Sequence, residues 1–187
     1  MQTLLHIGIK GTVLAVDRTS GAMKWETKLK GGDFVQVVLL DRLFASAKGE
    51  LFALDPRSGR VMWRNPLKGL GLGPVTIAAD ESQGPLFIGV GGHALAIDRQ
   101  SSVEVWRTRL KRGEFVNVAA QDGRIFASAG GELFCLDRTS GSIVWRNSLR
   151  GYGWGIVTMA GACADQAALG ESRRQQQRRH AAAAAAG

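Results

Sequence analysis

The sequence predicts an all-β protein, a β-propeller of four-stranded antiparallel blades, from three observations. One strand–turn–strand unit ending on tryptophan is written four times: TVLAVDRTSGAMKW (Thr12–Trp25), LFALDPRSGRVMW (Leu51–Trp63), HALAIDRQSSVEVW (His93–Trp106) and ELFCLDRTSGSIVW (Glu132–Trp145). Its tryptophans, Trp25, Trp63, Trp106 and Trp145, stand 38, 43 and 39 residues apart, a spacing that suits one small antiparallel sheet per repeat. Pairs of blades also repeat: Phe34–Asp41 returns as Phe115–Asp122, and Leu43–Ala78 matches Ile125–Ala160 with Gly123 inserted.

Alternation of apolar and polar residues, bounded by turn residues, places each strand. The first blade (3–27) begins with Thr3–Ile9 and continues with Thr12–Asp17 and Ala22–Thr27, so its inner strand is missing. The second (34–66) carries Phe34–Leu39, Leu43–Ala47, Glu50–Asp55 and Arg60–Asn65. The third (73–108) carries Val75–Ala79, Pro85–Val90, His93–Asp98 and Val103–Thr108. The fourth (115–148) carries Phe115–Ala120, Arg124–Ala129, Glu132–Asp137 and Ser142–Ser148. Lys48-Gly49, Gly91-Gly92 and Gly130-Gly131 supply the positive φ of tight hairpins. Beyond the fourth blade, Gly155–Gly161 (GIVTMAG) matches the inner strand of the third, GPVTIAA. It is expected to complete the first blade, so that the propeller spans 1–161. Either it does so within one chain, closing four blades, or two chains exchange these strands and each forms half of an eight-bladed ring. Residues 162–187, rich in Ala, Gln and Arg, form a low-complexity tail.

The turn D-x-x-[ST]-G recurs at Asp17–Gly21, Asp55–Gly59 and Asp137–Gly141. Its carboxylate accepts backbone N–H groups, and Gly21, Gly59 and Gly141 take the left-handed position that closes it. One carboxylate per loop is too few to hold calcium. At Asp98–Ser102, serine replaces the glycine, which predicts a strained or differently shaped turn. A large aromatic at the same point of every blade reads as a wedge against the neighbouring blade, with an indole N–H that needs a backbone acceptor. Loss of the side chain in Trp63→Ala or Trp145→Ala is expected to destabilise the protein by about 3–5 kcal/mol. In the connectors Lys68–Pro74 and Arg150–Gly155, Leu70, Leu72, Tyr152 and Trp154 form the candidate partner surface.

Other chemistry is not written in the chain. His6, His93 and His180 fall in unrelated places, and no Ser-His-Asp order, paired carboxylates or phosphate loop stands out. Cys135 aligns with Ala15, Ala53 and Ala96, as a small buried strand residue, and Cys163 lies in the tail. The net charge of +8 owes four residues to the tail (Arg173, Arg174, Arg178 and Arg179), while the remaining charge is interspersed in sign, which argues against nucleic acid as the partner. No apolar run approaches the roughly 20 residues of a membrane span. The start, MQTLLHIGIKG, is too short and alternating for a signal-peptide core, so no compartment is assigned.

With LFALDPRSGRVMW, LFCLDRTSGSIVW and TVLAVDRTSGAMKW in view, the chain resembles the PQQ-like β-propeller repeats over roughly Thr3–Ala160. The resemblance implies an inter-blade docking motif built on Asp17, Asp55, Asp98 and Asp137, the turn glycines and the tryptophans. The family, usually eight-bladed, includes quinone-dependent dehydrogenases and a scaffold of outer-membrane protein assembly. The vicinal cysteines and calcium ligands of the quinoproteins have no match here, so no cofactor residue is carried over and no cofactor is expected. The expected function is a non-catalytic scaffold for protein–protein interaction, a subunit or assembly factor of a larger complex. A quinone- or small-ligand-binding oxidoreductase domain is the alternative.

Overall fold

The computed structural model describes residues 3–29, 34–78, 84–111, 115–153 and 156–159. They form fifteen strands and no helix, arranged as the blades of a β-propeller. The first sheet runs β1 (Leu4–Ile9), β2 (Thr12–Asp17), β3 (Met23–Lys28). The second holds β4 (Val35–Leu39), β5 (Leu43–Ala47), β6 (Glu50–Leu54) and β7 (Val61–Asn65). The third holds β8 (Thr76–Ile77), β9 (Leu86–Val90), β10 (His93–Ile97) and β11 (Glu104–Arg109). The fourth holds β12 (Val116–Gln121), β13 (Arg124–Ala129), β14 (Glu132–Asp137) and β15 (Ile143–Asn147). Each sheet is an antiparallel meander, in which short hairpins keep sequence neighbours adjacent in space.

The outermost hairpin of every blade carries the same irregularity. The ladder shifts by one residue between Ala15 and Val16, Ala53 and Leu54, Ala96 and Ile97, and Cys135 and Leu136. Such a bulge bends the outer strand, and it puts each tryptophan directly across from a small residue. Ala15 faces Trp25, Ala53 faces Trp63, Ala96 faces Trp106 and Cys135 faces Trp145. An indole needs room above its partner strand, which explains the small side chain and the buried, unpaired Cys135.

Side chains between successive blades form the core. Val13 of the first blade packs with Phe52 and Leu54 of the second; Phe44 and Leu51 of the second pack with Leu86 and Ile88 of the third. Phe87 and Trp106 of the third pack with Ile125 and Phe134 of the fourth. The blades approach so closely on the inner side that backbone meets backbone. A Cβ added at Gly8 would lie 2.6 Å from the Val35 carbonyl oxygen, and one at Gly89 2.7 Å from that of Val116. Only glycine fits there.

Along its other edge β1 has no ladder partner, and residues 156–159 join no ladder among the described residues. The first blade therefore keeps three strands, not the four that closure within one chain predicts; residues 155, 160 and 161 lie outside the described residues. The physical reason is a tether. The Val157 carbonyl accepts from Asn117 Nδ2 and Ser128 Oγ of the fourth blade, both at 3.3 Å. The equivalent Val75 carbonyl accepts from Ser46 Oγ at 3.0 Å just before β8 begins. Val157 thus sits where the inner strand of a following blade would start.

The four acidic turns share one hydrogen-bond pattern. Asp17, Asp55, Asp98 and Asp137 each accept two backbone N–H groups and one serine hydroxyl through Oδ1. The turn at Asp98 keeps the shape of the others: the Ser102 amide reaches the Asp98 carbonyl at 2.9 Å, and Ser102 sits at φ 63°, in the left-handed region. Its irregularity is local backbone strain rather than a new conformation. Donors from Ser20 and Thr19 hold the Asp17 carboxyl below the usual carboxylate range, and Ser58, Ser101 and Ser140 lead the same effect at Asp55, Asp98 and Asp137. A carboxyl group depressed in the folded state stabilises it above the unfolded pKa, and that contribution disappears as the pH falls through the folded pKa. Melting temperature should therefore drop on acidification below the ordinary carboxylate range. Asn at Asp55 and Asp137 retains an acceptor oxygen without titrating, so the double variant should show a shallower acid limb in a series of melts against pH.

Candidate functional site

Each internal blade junction is closed by the same pair of hydrogen bonds. The Trp25 indole Nε1 donates to the Pro56 carbonyl at 3.3 Å, Trp63 to Arg99 at 2.9 Å and Trp106 to Arg138 at 3.0 Å. In all three the acceptor is the residue after the turn aspartate of the next blade. The second bond comes from the residue two beyond the tryptophan. Thr27 Oγ1 donates to the Gly59 carbonyl at 2.7 Å, Asn65 Nδ2 to Ser102 at 2.9 Å and Thr108 Oγ1 to Gly141 at 2.6 Å. Acceptor and turn glycine position are the same in every case.

This second donor was legible as W-x-[TN] in WETK, WRNP, WRTR and WRNS, but a polar residue near the end of a strand draws no notice by itself. The turn glycine has a steric role besides its positive φ. A Cβ at Gly59 would lie 2.4 Å from the Trp25 ring, and one at Gly141 2.6 Å from that of Trp106. Within each blade the indole also leans on an aromatic ring two strands inward, on β1, β5, β9 or β13. His6 lies 5.7 Å from Trp25, Phe44 6.0 Å from Trp63, Phe87 5.9 Å from Trp106 and Phe126 6.1 Å from Trp145, centroid to centroid.

The four tryptophans are not equivalently placed. Trp106 is buried, whereas Trp145 is 43% exposed and its indole has no acceptor among the described residues. Among the described residues no blade follows the fourth and none lies over Trp145. The reciprocal vacancy is at the first turn, where a Cβ at Gly21 meets nothing within 4 Å.

The connectors lie on the rim after the second and fourth blades. Asn65 Oδ1 accepts from the Leu67 amide and Asn147 Oδ1 from the Leu149 amide, both at 2.9 Å. These bonds hold Leu67 and Leu149 at φ 45° and 44°, an uncommon conformation for a branched residue. Of the candidate surface residues, Leu72 and Tyr152 are 69% and 85% exposed. Leu70 is a correction. It is buried in the core between the second and third blades, because the connector folds back so that the Leu70 carbonyl crowds Gly91. Trp154 lies outside the described residues. Among the described residues no three His, Cys, Asp or Glu side chains gather to hold a metal, and no helix is long and apolar enough to cross a membrane.

The family model described as outer membrane protein assembly factor BamB matches residues 9–86 and 90–166. The chain belongs to this family of PQQ-like repeat propellers. No curated protein matches it. Among solved structures, BamB from Moraxella catarrhalis is 21% identical with a TM-score of 0.62, over 77% of this chain and 49% of that one. Sqt1 of Saccharomyces cerevisiae is 14% identical with a TM-score of 0.66, over 80% and 44%. A quinohemoprotein alcohol dehydrogenase from Pseudomonas putida is 14% identical with a TM-score of 0.61, over 78% and 33%. At these identities the likeness is one of fold. This BamB-family chain spans about half, or less, of the structures it matches.

The junction chemistry predicts an ordering of variants at one site. Trp63→Ala should destabilise the chain by about 3 kcal/mol, the lower end for a large aromatic, because the ring is only partly buried. Trp63→Phe keeps most of the packing and loses the bond to Arg99, about 1 kcal/mol. Trp145→Ala in the isolated chain should cost less than Trp63→Ala. Thermal or urea unfolding of the three variants checks the order.

Proposed function

We propose that the protein is a non-catalytic propeller scaffold that holds a protein partner on its rim, as a subunit or assembly factor of a larger complex. One observation carries the reading. Leu72 and Tyr152, at 69% and 85% exposure, stand on connectors whose backbone is tied down by Asn65 and Asn147. Exposed apolar and aromatic side chains on a rigid loop suit a binding surface, since little order has to be imposed on association. Family membership supports the same class of role, because its description is that of an assembly factor. Assembly of outer-membrane proteins is accordingly the first process to test.

Both side chains point into solvent, so their replacement by aspartate should leave the melting temperature unchanged. Crosslinking in the native cell, followed by mass spectrometry of the captured chain, should identify one reproducible partner for the native protein. The Leu72→Asp/Tyr152→Asp variant should lose that partner by tenfold or more. Equal capture by the two proteins would overturn the rim as the binding surface. The reading also predicts that purified native protein yields no pyrroloquinoline quinone on mass analysis and no dye-linked dehydrogenase activity. Stoichiometric recovery of the quinone would replace the scaffold with the oxidoreductase alternative.

A further inference from the structure

Two blade faces in this chain are matched to each other and not in contact. The face of the fourth blade carries Phe126, Leu133 and Trp145, the same residue types in the same strand positions as Phe44, Leu51 and Trp63 of the second. Phe44 and Leu51 are fully buried under the third blade, whereas Phe126 and Leu133 are only partly covered. The third blade fills the face of the second with Leu86, Ile88 and Val90, all at 0% exposure. The corresponding residues of the first blade are Leu5, Ile7 and Ile9, and there Leu5 is 45% and Ile9 51% exposed. Leu14 and Val16 beside them, half-buried, repeat the fully buried Leu95 and Ile97.

We propose that the first blade of a second copy of this chain docks on the fourth blade, and reciprocally, so that two chains close one eight-bladed ring. The first-blade face repeats the third-blade face almost residue for residue, and the fourth-blade face repeats the second. The pair therefore reproduces a junction that this chain already makes internally, which favours a second copy over an unrelated protein. In that junction Trp145 Nε1 donates to the Arg18 carbonyl of the second copy and Asn147 Nδ2 to that of Gly21, as Trp63 and Asn65 do to Arg99 and Ser102. The Trp145 ring already leans on Phe126 at 6.1 Å, against 6.0 Å for Trp63 on Phe44, so the donor is pre-set. Thr158 and Met159, which follow the tethered Val157, take the places of Thr76 and Ile77 and pair with Gly8 and Ile7 of the second copy. That supplies the inner strand missing beside β1.

The arc also has the right extent, for it overlays 49% of the Moraxella BamB chain, and two such arcs make a ring of that size. Head-to-tail contacts close only if the rotation brings the last face back to the first, and a two-fold pair does so with two identical junctions. The proposal goes beyond the rim reading and is tested apart from it, since Leu72 and Tyr152 take no part in the blade faces; Asn147 alone serves both, holding its connector through Oδ1 and offering Nδ2 to the second copy.

The experiment is the solution mass of the purified full chain by light scattering, with two variants. Native protein should have twice the 20.0 kDa of one chain. Trp145→Ala removes the donor. Gly21→Asn keeps a residue that tolerates the left-handed turn and adds, where the incoming indole must lie, a side chain longer than the Ser102 on which the Trp63 blade docks. Each variant alone should run at one chain's mass with an unchanged far-UV spectrum. Mixing them should restore the two-chain species, because one junction then has both Trp145 and Gly21 intact. If Trp145→Ala fails to fold, Gly21→Asn decides alone, since its side chain meets open space in the free chain. Single-chain mass for the native protein at every concentration, a pair that ignores both variants, or open-ended larger assemblies would each overturn the proposal.

Discussion

The structure depends on one contact, the indole N–H of each of the first three blades bonded to a backbone carbonyl in the acidic turn of the next. A backbone acceptor is useful only if the backbone is held still, and the turn carboxylate does this through bonds to its own following amides. The aspartate and the tryptophan of adjacent blades therefore act as one device, although neither touches the other. Small residues follow from the same contact: alanine or cysteine across the hairpin makes room beneath the indole, and glycine, or Ser102 in the third blade, makes room beside it at the turn.

Because each blade contacts only its neighbours, stability is close to a sum of blade and junction contributions. The consequence is polarity. An internal blade offers a donor face on one side and an acceptor face on the other, and both are satisfied. A chain of such blades that does not meet itself must show one unsatisfied donor face and one unsatisfied acceptor face. Trp145 and Asn147 mark the first here, Gly21, Leu5 and Ile9 the second. The same side chains that are structural inside the arc are available for association at its two ends, with no change in chemistry.

The rim is organised differently. The connectors after the second and fourth blades share a glycine spacing in sequence, and their described residues share a backbone conformation, down to the left-handed leucines Leu67 and Leu149. Asn65 both holds its connector and reaches the next blade, while Asn147 holds its connector only. Any partner seated on the rim therefore sits beside side chains that also report whether the blade behind them is docked.

Repetition made the sequence informative about everything local. Strand limits, hairpins, acidic turns and the alignment of the four tryptophans could all be read from the period, because hydrogen bonding along a meander depends on residues close in the chain. The second junction donor, Thr27 or Asn65 or Thr108, was written there too but is meaningless until its acceptor, some thirty residues away, is in place. Tertiary structure alone decided which copies of a repeated residue are buried. Leu70 and Leu72 are two residues apart in one connector, and one is in the core while the other is in solvent. Trp63 and Trp145 stand at the same point of the repeat and are both followed by Arg-Asn, and only Trp63 has a described blade over it. Burial is set by what lies across the interface, and a residue's own repeat carries no record of whether a next blade is present.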